Sequence, residues 1–303
     1  MDVPELIERI RTGVIAPIDA PDEADYHRAW IEGGVNGPDP LAVAIIGGAM
    51  ADRLAWVFLA GYQATITRCF PTLPAISGWR SFVNTEDQSG RLPGTTLQNT
   101  GGARRLDGWK TWLAAAAHVD ELIVSAKQNE PPFAVLPRGQ AGVHIDEGTP
   151  KSYLPEMVQG TVRFDAVEVA ENQVVGDAST FPIFRASETP HVRLALNAFI
   201  LSHSVRLDAD HVLTGEAVAG LLGASGALRL PVPSAAGALA ALGVDRHTVA
   251  LADRFEASIS THDEALHQRW MRDRRLVHGA SPTIAARAET ALAAWRATDA
   301  PGA

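Results

Sequence analysis

Hydrophobic periodicity changes twice along this chain of 303 residues, and that double change constrains the fold more than any single motif. Over residues 41–68, Ile45, Leu54, Val57, Phe58 and Tyr62 recur among small residues with almost no breaker, the pattern of a largely buried helix in which Gly47 and Gly48 allow a close neighbour. Between about residues 81 and 176 the apolar runs become strand-sized, at 122–126, 133–136, 142–145 and 161–164. They are separated by Pro131, Pro132, Pro137, Gly139 and the Asp146-Glu147-Gly148 turn. Beyond Pro182 the three-to-four spacing returns through Val192, Leu196, Phe199, Ile200, Leu266, Trp270, Leu276, Ile284 and Trp295. The expectation is an α+β multidomain chain: a helical domain over 1–80, a central β domain over 81–180 and a helical domain over 181–303. Residues 223–243, rich in Ala, Gly, Ser and Leu, fit either a short helix or a loop.

Composition narrows the class. With 46% hydrophobic and 20% charged residues the chain can bury a core, which excludes disorder as its main state. Lys and Arg total 26 against 35 Asp and Glu, a formal charge of −9, so neither a nucleic-acid backbone nor an anionic membrane is the expected partner. Cys69 is the one cysteine, so an internal disulfide is excluded. No zinc-type spacing surrounds it, and His203 and His211 lack a supporting carboxylate pattern, so no metal site is expected. The first residues, MDVPELIERIRTG, lack the basic stretch and apolar run of a secretory signal. The most apolar window, 41–50, meets Asp52 and Arg53 well short of the ~20 residues of a membrane span. A reducing, cytoplasmic setting follows from these readings.

The middle segment is more specific. Thr85-Glu86, the run Leu106-Asp107-Gly108-Trp109-Lys110-Thr111-Trp112, His118-Val119-Asp120, Phe133 to Pro137, Ala141-Gly142-Val143, Gly160 to Asp165 and Val175-Gly176 follow one another in order and spacing. Together they resemble the middle domain of the acyl-CoA dehydrogenase family over about residues 81–195; elsewhere the likeness is architectural. The resemblance implies a β domain lying against a flavin, flanking helical domains that complete the active site, FAD as cofactor, and an acyl-CoA or small acyl or carbonyl substrate. It also implies a homo-oligomer, at least a dimer, or a hetero-oligomer with a related chain. Contacts to the flavin ring would come from Phe82, Asn84, Thr85 and Trp112. Ala114 stands where the family usually has a hydroxyl residue near the ring. Ser89, Gly90 and Arg91 keep a partial likeness to the glycine-serine-aspartate run that receives the substrate thioester and the flavin phosphate. The arginine and phenylalanine-glycine that reach FAD across the family's dimer are absent, because Arg206 is followed by Leu207-Asp208-Ala209-Asp210-His211.

Such an oxidoreductase needs a base within hydrogen-bond reach of the proton next to the thioester. Two places offer one. His278, before Gly279, stands where the family usually has a glutamate before glycine. Glu188 and His191 lie where some members carry the base, at the start of the first helix after the β domain. There Ser187 or Thr189 would cap the helix, Pro190 would suit its first turn, and residues three apart could meet. The ordinary alternative is a carboxylate at a helix terminus beside a half-buried histidine. Three functional classes stay open: a flavin-dependent oxidoreductase, an FAD-independent enzyme of the same fold performing proton transfer, elimination or cyclisation, and a non-catalytic partner subunit.

Overall fold

The four strand-sized runs are four of eight strands in two four-stranded sheets, as seen in a computed structural model that describes residues 1–100, 103–127 and 130–298. The strands are β1 (Trp79–Val83), β2 (Thr96–Thr100), β3 (Ala103–Ala114), β4 (Val119–Lys127), β5 (Glu130–Pro137), β6 (Val143–Asp146), β7 (Gln159–Val169) and β8 (Val174–Val175). One sheet runs β1-β4-β5-β8 and the other β2-β3-β7-β6. Pairing is antiparallel except between β1 and β4, which are parallel. Val83, Leu122, Val124 and Leu136 from the first sheet share one apolar core with Leu106, Leu113, Val162, Phe164 and Val167 from the second, so the two sheets pack face to face. β7 alternates buried Gly160, Val162 and Phe164 with outward residues, slips by one at Asp165-Ala166, and resumes at Val167 and Val169. The slip is a bulge: Ala166 has φ +49°, and its N–H is held by Asp107 Oδ1 at 2.7 Å.

Helix α2 (Glu23–Glu32) belongs to the same compact unit, formed by residues 20–38 and 66–182. Glu23 is 2% exposed and accepts the N–H of His118 at 2.8 Å and of Val158 at 2.7 Å. Burial raises its carboxyl pKa, against those two bonds. One turn on, His27 meets Asp120 at 3.0 Å, and Asp120 also accepts the Trp79 N–H at 2.7 Å. Tyr26, Trp30 and Trp79 pack between these polar points with ring centroids about 6 Å apart.

The second unit, among the described residues 1–19, 39–65 and 183–298, is helical. It contains α1 (Val3–Arg11), α3 (Pro40–Met50), most of α4 (Leu54–Cys69) and nearly all of α5 (Thr180–Arg206). To these it adds α6 (His211–Leu228), α7 (Ala235–His262), α8 (Glu264–Asp273), α9 (Arg275–His278) and α10 (Ser281–Thr298). Helix α5 is buried on every side from residue 191 to 204, the signature of a helix at the centre of a bundle. Inside it Arg193, 1% exposed, donates to Asp245 of α7 at 2.6 and 2.9 Å and to the Leu276 carbonyl of α9 at 3.3 Å. A Cβ on Gly61 would lie 2.5 Å from Val192 Cα, and one on Gly48 would overlap the Ala195 carbonyl, so α3 and α4 approach α5 at glycines. Gly61→Ala is therefore expected to destabilise by about 1–3 kcal/mol through forced backbone movement, measured as a lower urea midpoint with an unchanged slope.

Several expectations are corrected. The 41–68 pattern is two helices, because Ala51 turns extended (ψ 138°) and Asp52 and Arg53 pair with each other, both 7% exposed. A buried ion pair at a helix junction leaves no mark in apolar spacing. Residues 223–243 form the end of α6 and the start of α7. Helix α5 starts at Thr180, where Asp177 binds Ser179 and Thr180 in a tight turn, so neither Ser187 nor Thr189 is a cap. Pro190 lies inside the helix, and its missing N–H leaves the Ala186 carbonyl without its usual intrahelical donor. Residues 20–38 and 66–80 fall in the same compact unit as the strands.

Candidate active site

In the β unit the structure divides the five ring-facing candidates. Phe82 is 3% exposed, surrounded by the rings of Phe133 at 5.3 Å and Phe70 at 5.7 Å, which makes it a core residue. Ala114 is fully buried, its N–H on Ser81 Oγ at 3.3 Å. Asn84 is half-buried, its Oδ1 accepting from Ser125 Oγ at 3.0 Å. Thr85 and Trp112 keep open surface. The Thr85 carbonyl accepts the Thr111 N–H at 2.8 Å, while its hydroxyl makes no hydrogen bond among the described residues. Trp112 Nε1 reaches Gln159 Oε1 at 3.3 Å.

Beneath this surface lies a polar cluster that the motifs did not announce. Lys110, fully buried, donates to Glu86 Oε1 at 3.0 Å, Ser125 Oγ at 2.9 Å and the Asn84 carbonyl at 3.3 Å. Glu86 also accepts the Thr95 N–H at 3.1 Å. Burial lowers the Lys110 pKa, with Glu86 opposing it. For Glu86, burial works upward, but the Lys110 ammonium and Thr95 outweigh it and hold the carboxyl below its usual range. The available signal was strand parity, because Lys110 shares the inward face of β3 with Leu106 and Gly108. The cluster fixes the strand end that presents Thr85.

Ser89, Gly90 and Arg91 form an exposed loop closed on Asp87, whose carboxylate takes the N–H groups of Ser89 at 2.9 Å, Arg91 at 2.8 Å and Leu92 at 2.9 Å. The Arg91 guanidinium turns inward, its Nε on Ser89 Oγ at 2.9 Å.

In the helical unit, Glu188 is half-buried, and no described residue donates a hydrogen bond to its carboxyl. Burial raises its pKa to about 7, opposed only by the positive charge of Arg287. Arg185, Thr189 and Pro190 of the same helix border a largely apolar groove of about 640 Å³ completed by Val232, Ile284 and Arg287, and Glu188 is not among its lining residues. The expected acid–imidazole pair does not form. His191 is fully buried, with Nδ1 2.8 Å from its own helix's Ser187 carbonyl and 3.3 Å from Thr65 Oγ1; a carbonyl only accepts, so Nδ1 carries the proton. His278 is elsewhere, at the end of α9 and 40% exposed, facing Asp253 Oδ1 at 3.8 Å. Among the described residues no group of three or more His, Cys, Asp and Glu side chains is placed to hold a metal, and no helix is long and apolar enough to cross a membrane.

No protein-family model matches the sequence, and no curated protein matches it either. Solved structures do match in shape. One is described as an FAD-dependent dehydrogenase, 13% identical with a TM-score of 0.67 over 96% of this chain and 97% of that one. PigA with FAD and proline is 13% identical, TM-score 0.65, over 97% and 99%. The prolyl acyl carrier protein oxidase AnaB is 14% identical, TM-score 0.63, over 95% and 97%. The chain has an acyl-CoA dehydrogenase-like fold. Against the flavin that this acyl-CoA dehydrogenase-like fold implies, the residues fit unevenly. A half-exposed tryptophan and an unengaged threonine hydroxyl suit a flavin ring, whereas the amides of the 87–92 loop are already taken by a side chain of the same loop.

Proposed function

We propose that this chain is a flavin-dependent oxidoreductase acting on an acyl thioester or a related small carbonyl compound, with Glu188 as the base. The observation that carries the reading is a half-buried carboxyl that accepts no hydrogen bond from the described residues and whose pKa burial raises to about 7 beside the charge of Arg287, in a fold similar to FAD-dependent enzymes. A carboxyl poised at neutrality is matched to removing a proton from carbon, because it is ionised often enough to act and basic enough to bind what it takes. Glu188 removes the proton next to the carbonyl, and Arg287 steadies its ionised form. A bound flavin would accept the hydride released from the adjacent carbon. Within the β unit, Thr85 and Trp112 are the residues suited to meet a flavin ring, and Lys110 holds the backbone next to Thr85 through the Asn84 carbonyl.

The experiment is titration of the purified chain with flavin, followed by the visible spectrum and by quenching of Trp112 fluorescence relative to a Trp112→Phe variant. Saturable binding with quenching that depends on Trp112 is expected; absence of binding by a folded chain refutes the reading. The loop filled by Asp87 favours one other reading, an enzyme of this fold using Glu188 for proton transfer or elimination without flavin. Solvent deuterium exchange into a thioester by flavin-free protein would select it.

A further inference from the structure

The loop after Glu86 carries its own anion. Asp87 Oδ1 accepts the Ser89 N–H and the Ser89 hydroxyl at 2.9 and 2.7 Å, and Oδ2 accepts the N–H groups of Arg91 and Leu92 at 2.8 and 2.9 Å. Gly90, at φ +69°, turns its N–H back to the Asp87 carbonyl at 3.3 Å. Successive backbone N–H groups converging on one point make an anion-binding concavity. Here the concavity is occupied by a carboxylate that the chain supplies two residues away.

We propose that Asp87 is a specificity-determining residue: its carboxylate fills the amide nest of residues 89–92 and keeps phosphate groups out, so that a flavin bound here is recognised by its ring and not by its phosphates. The inference rests on the flavin reading given above. A tethered ligand competes at a high effective concentration, and a phosphate arriving at the loop would have either to displace the carboxylate or to sit beside a like charge. Four donors keep the Asp87 carboxyl ionised, its pKa lowered to about 2, so the block is present at any working pH. The Arg91 Nε donates to Ser89 Oγ at 2.9 Å, and no hydrogen bond joins its guanidinium to the Asp87 carboxylate among the described residues. The ring-facing strand end has its own contacts, from Lys110 to the Asn84 carbonyl and to Glu86.

Equilibrium dialysis of riboflavin, FMN, FAD and inorganic pyrophosphate against the full chain, Asp87→Ala and Asp87→Asn tests this. The unsubstituted chain is expected to bind riboflavin and FAD within about threefold of each other. Asp87→Ala is expected to tighten FAD and pyrophosphate by at least about tenfold, the effect of roughly one charge-assisted contact, with riboflavin unchanged. Asp87→Asn keeps a neutral oxygen on the same amides and falls between. A preference of about a hundredfold for FAD over riboflavin in the unsubstituted chain overturns the proposal, as does failure of both variants to gain pyrophosphate affinity. If no flavin binds to any of the three proteins, the flavin reading falls, and the pyrophosphate arm still decides the role of Asp87: a gain supports it and no gain refutes it.

Discussion

Replacing Glu188 by Gln is expected to lower turnover by roughly 10²–10⁴-fold, the usual loss when a general base is removed, and at the same time to make the protein more stable above neutral pH. The two effects have one cause. Burial raises the Glu188 pKa from its ordinary 4.5 to about 7, so the folded chain holds a proton that the unfolded chain releases. Between those values the folded state binds more protons, and stability is lost as pH rises from about 4.5 through 7. The loss amounts to roughly 3 kcal/mol at about 1.4 kcal/mol per pKa unit. Glutamine cannot ionise, so the variant escapes this loss. Melting temperatures of the two proteins should coincide near pH 4 and separate above pH 7, with the variant higher. Turnover of the unsubstituted enzyme should rise with pH towards a plateau above 7 as the carboxylate forms. A carboxylate that merely supports the fold would behave in the opposite way: Glu188→Gln would melt earlier and keep its turnover.

Lys110→Met is the other large effect. Removing one partner of a buried ion pair leaves the other charge without compensation, at a cost of about 3–5 kcal/mol. Glu86, whose side chain is 21% exposed, would then keep only the Thr95 amide and hydroxyl against burial, and its pKa should move up. Ser125 Oγ and the Asn84 carbonyl lose their ammonium donor as well. The urea midpoint of Lys110→Met should fall accordingly. Because the cluster holds the strand end at Thr85, flavin affinity should fall with it even at temperatures where the variant is fully folded. A variant with unchanged stability would show that the cluster is not a structural element.

The β domain was legible because strands alternate with turn residues. All four strand-sized runs correspond to observed strands, β4 to β7, and the family likeness in the middle segment agrees with the fold found. What escaped the sequence is polar and non-local. The Asp52–Arg53 pair splits one apolar run into two helices, and Glu23 ties α2 to two backbone amides 95 and 135 residues away. Lys110 reads as an ordinary surface lysine until β3 places it inward. At the site, Glu188 was legible as a candidate, but its expected partner was not. Helical spacing puts His191 three residues on, yet the imidazole turns to the Ser187 carbonyl and Thr65, leaving Arg287 of α10 as the charge that faces Glu188. Ser89, Gly90 and Arg91 were read for their likeness to a phosphate-binding run, whereas the residue that decides the chemistry of that loop is Asp87.

Anaerobic mixing of the flavin-loaded chain with a panel of acyl thioesters, watching the visible flavin band, addresses the flavin and the base together. The unsubstituted protein should bleach with at least one thioester, faster as pH rises through about 7, while Glu188→Gln, loaded with flavin to the same extent, should bleach at least about a hundredfold more slowly. Equal rates of bleaching in the two loaded proteins, or no bleaching of the loaded unsubstituted chain with any thioester, would contradict the account.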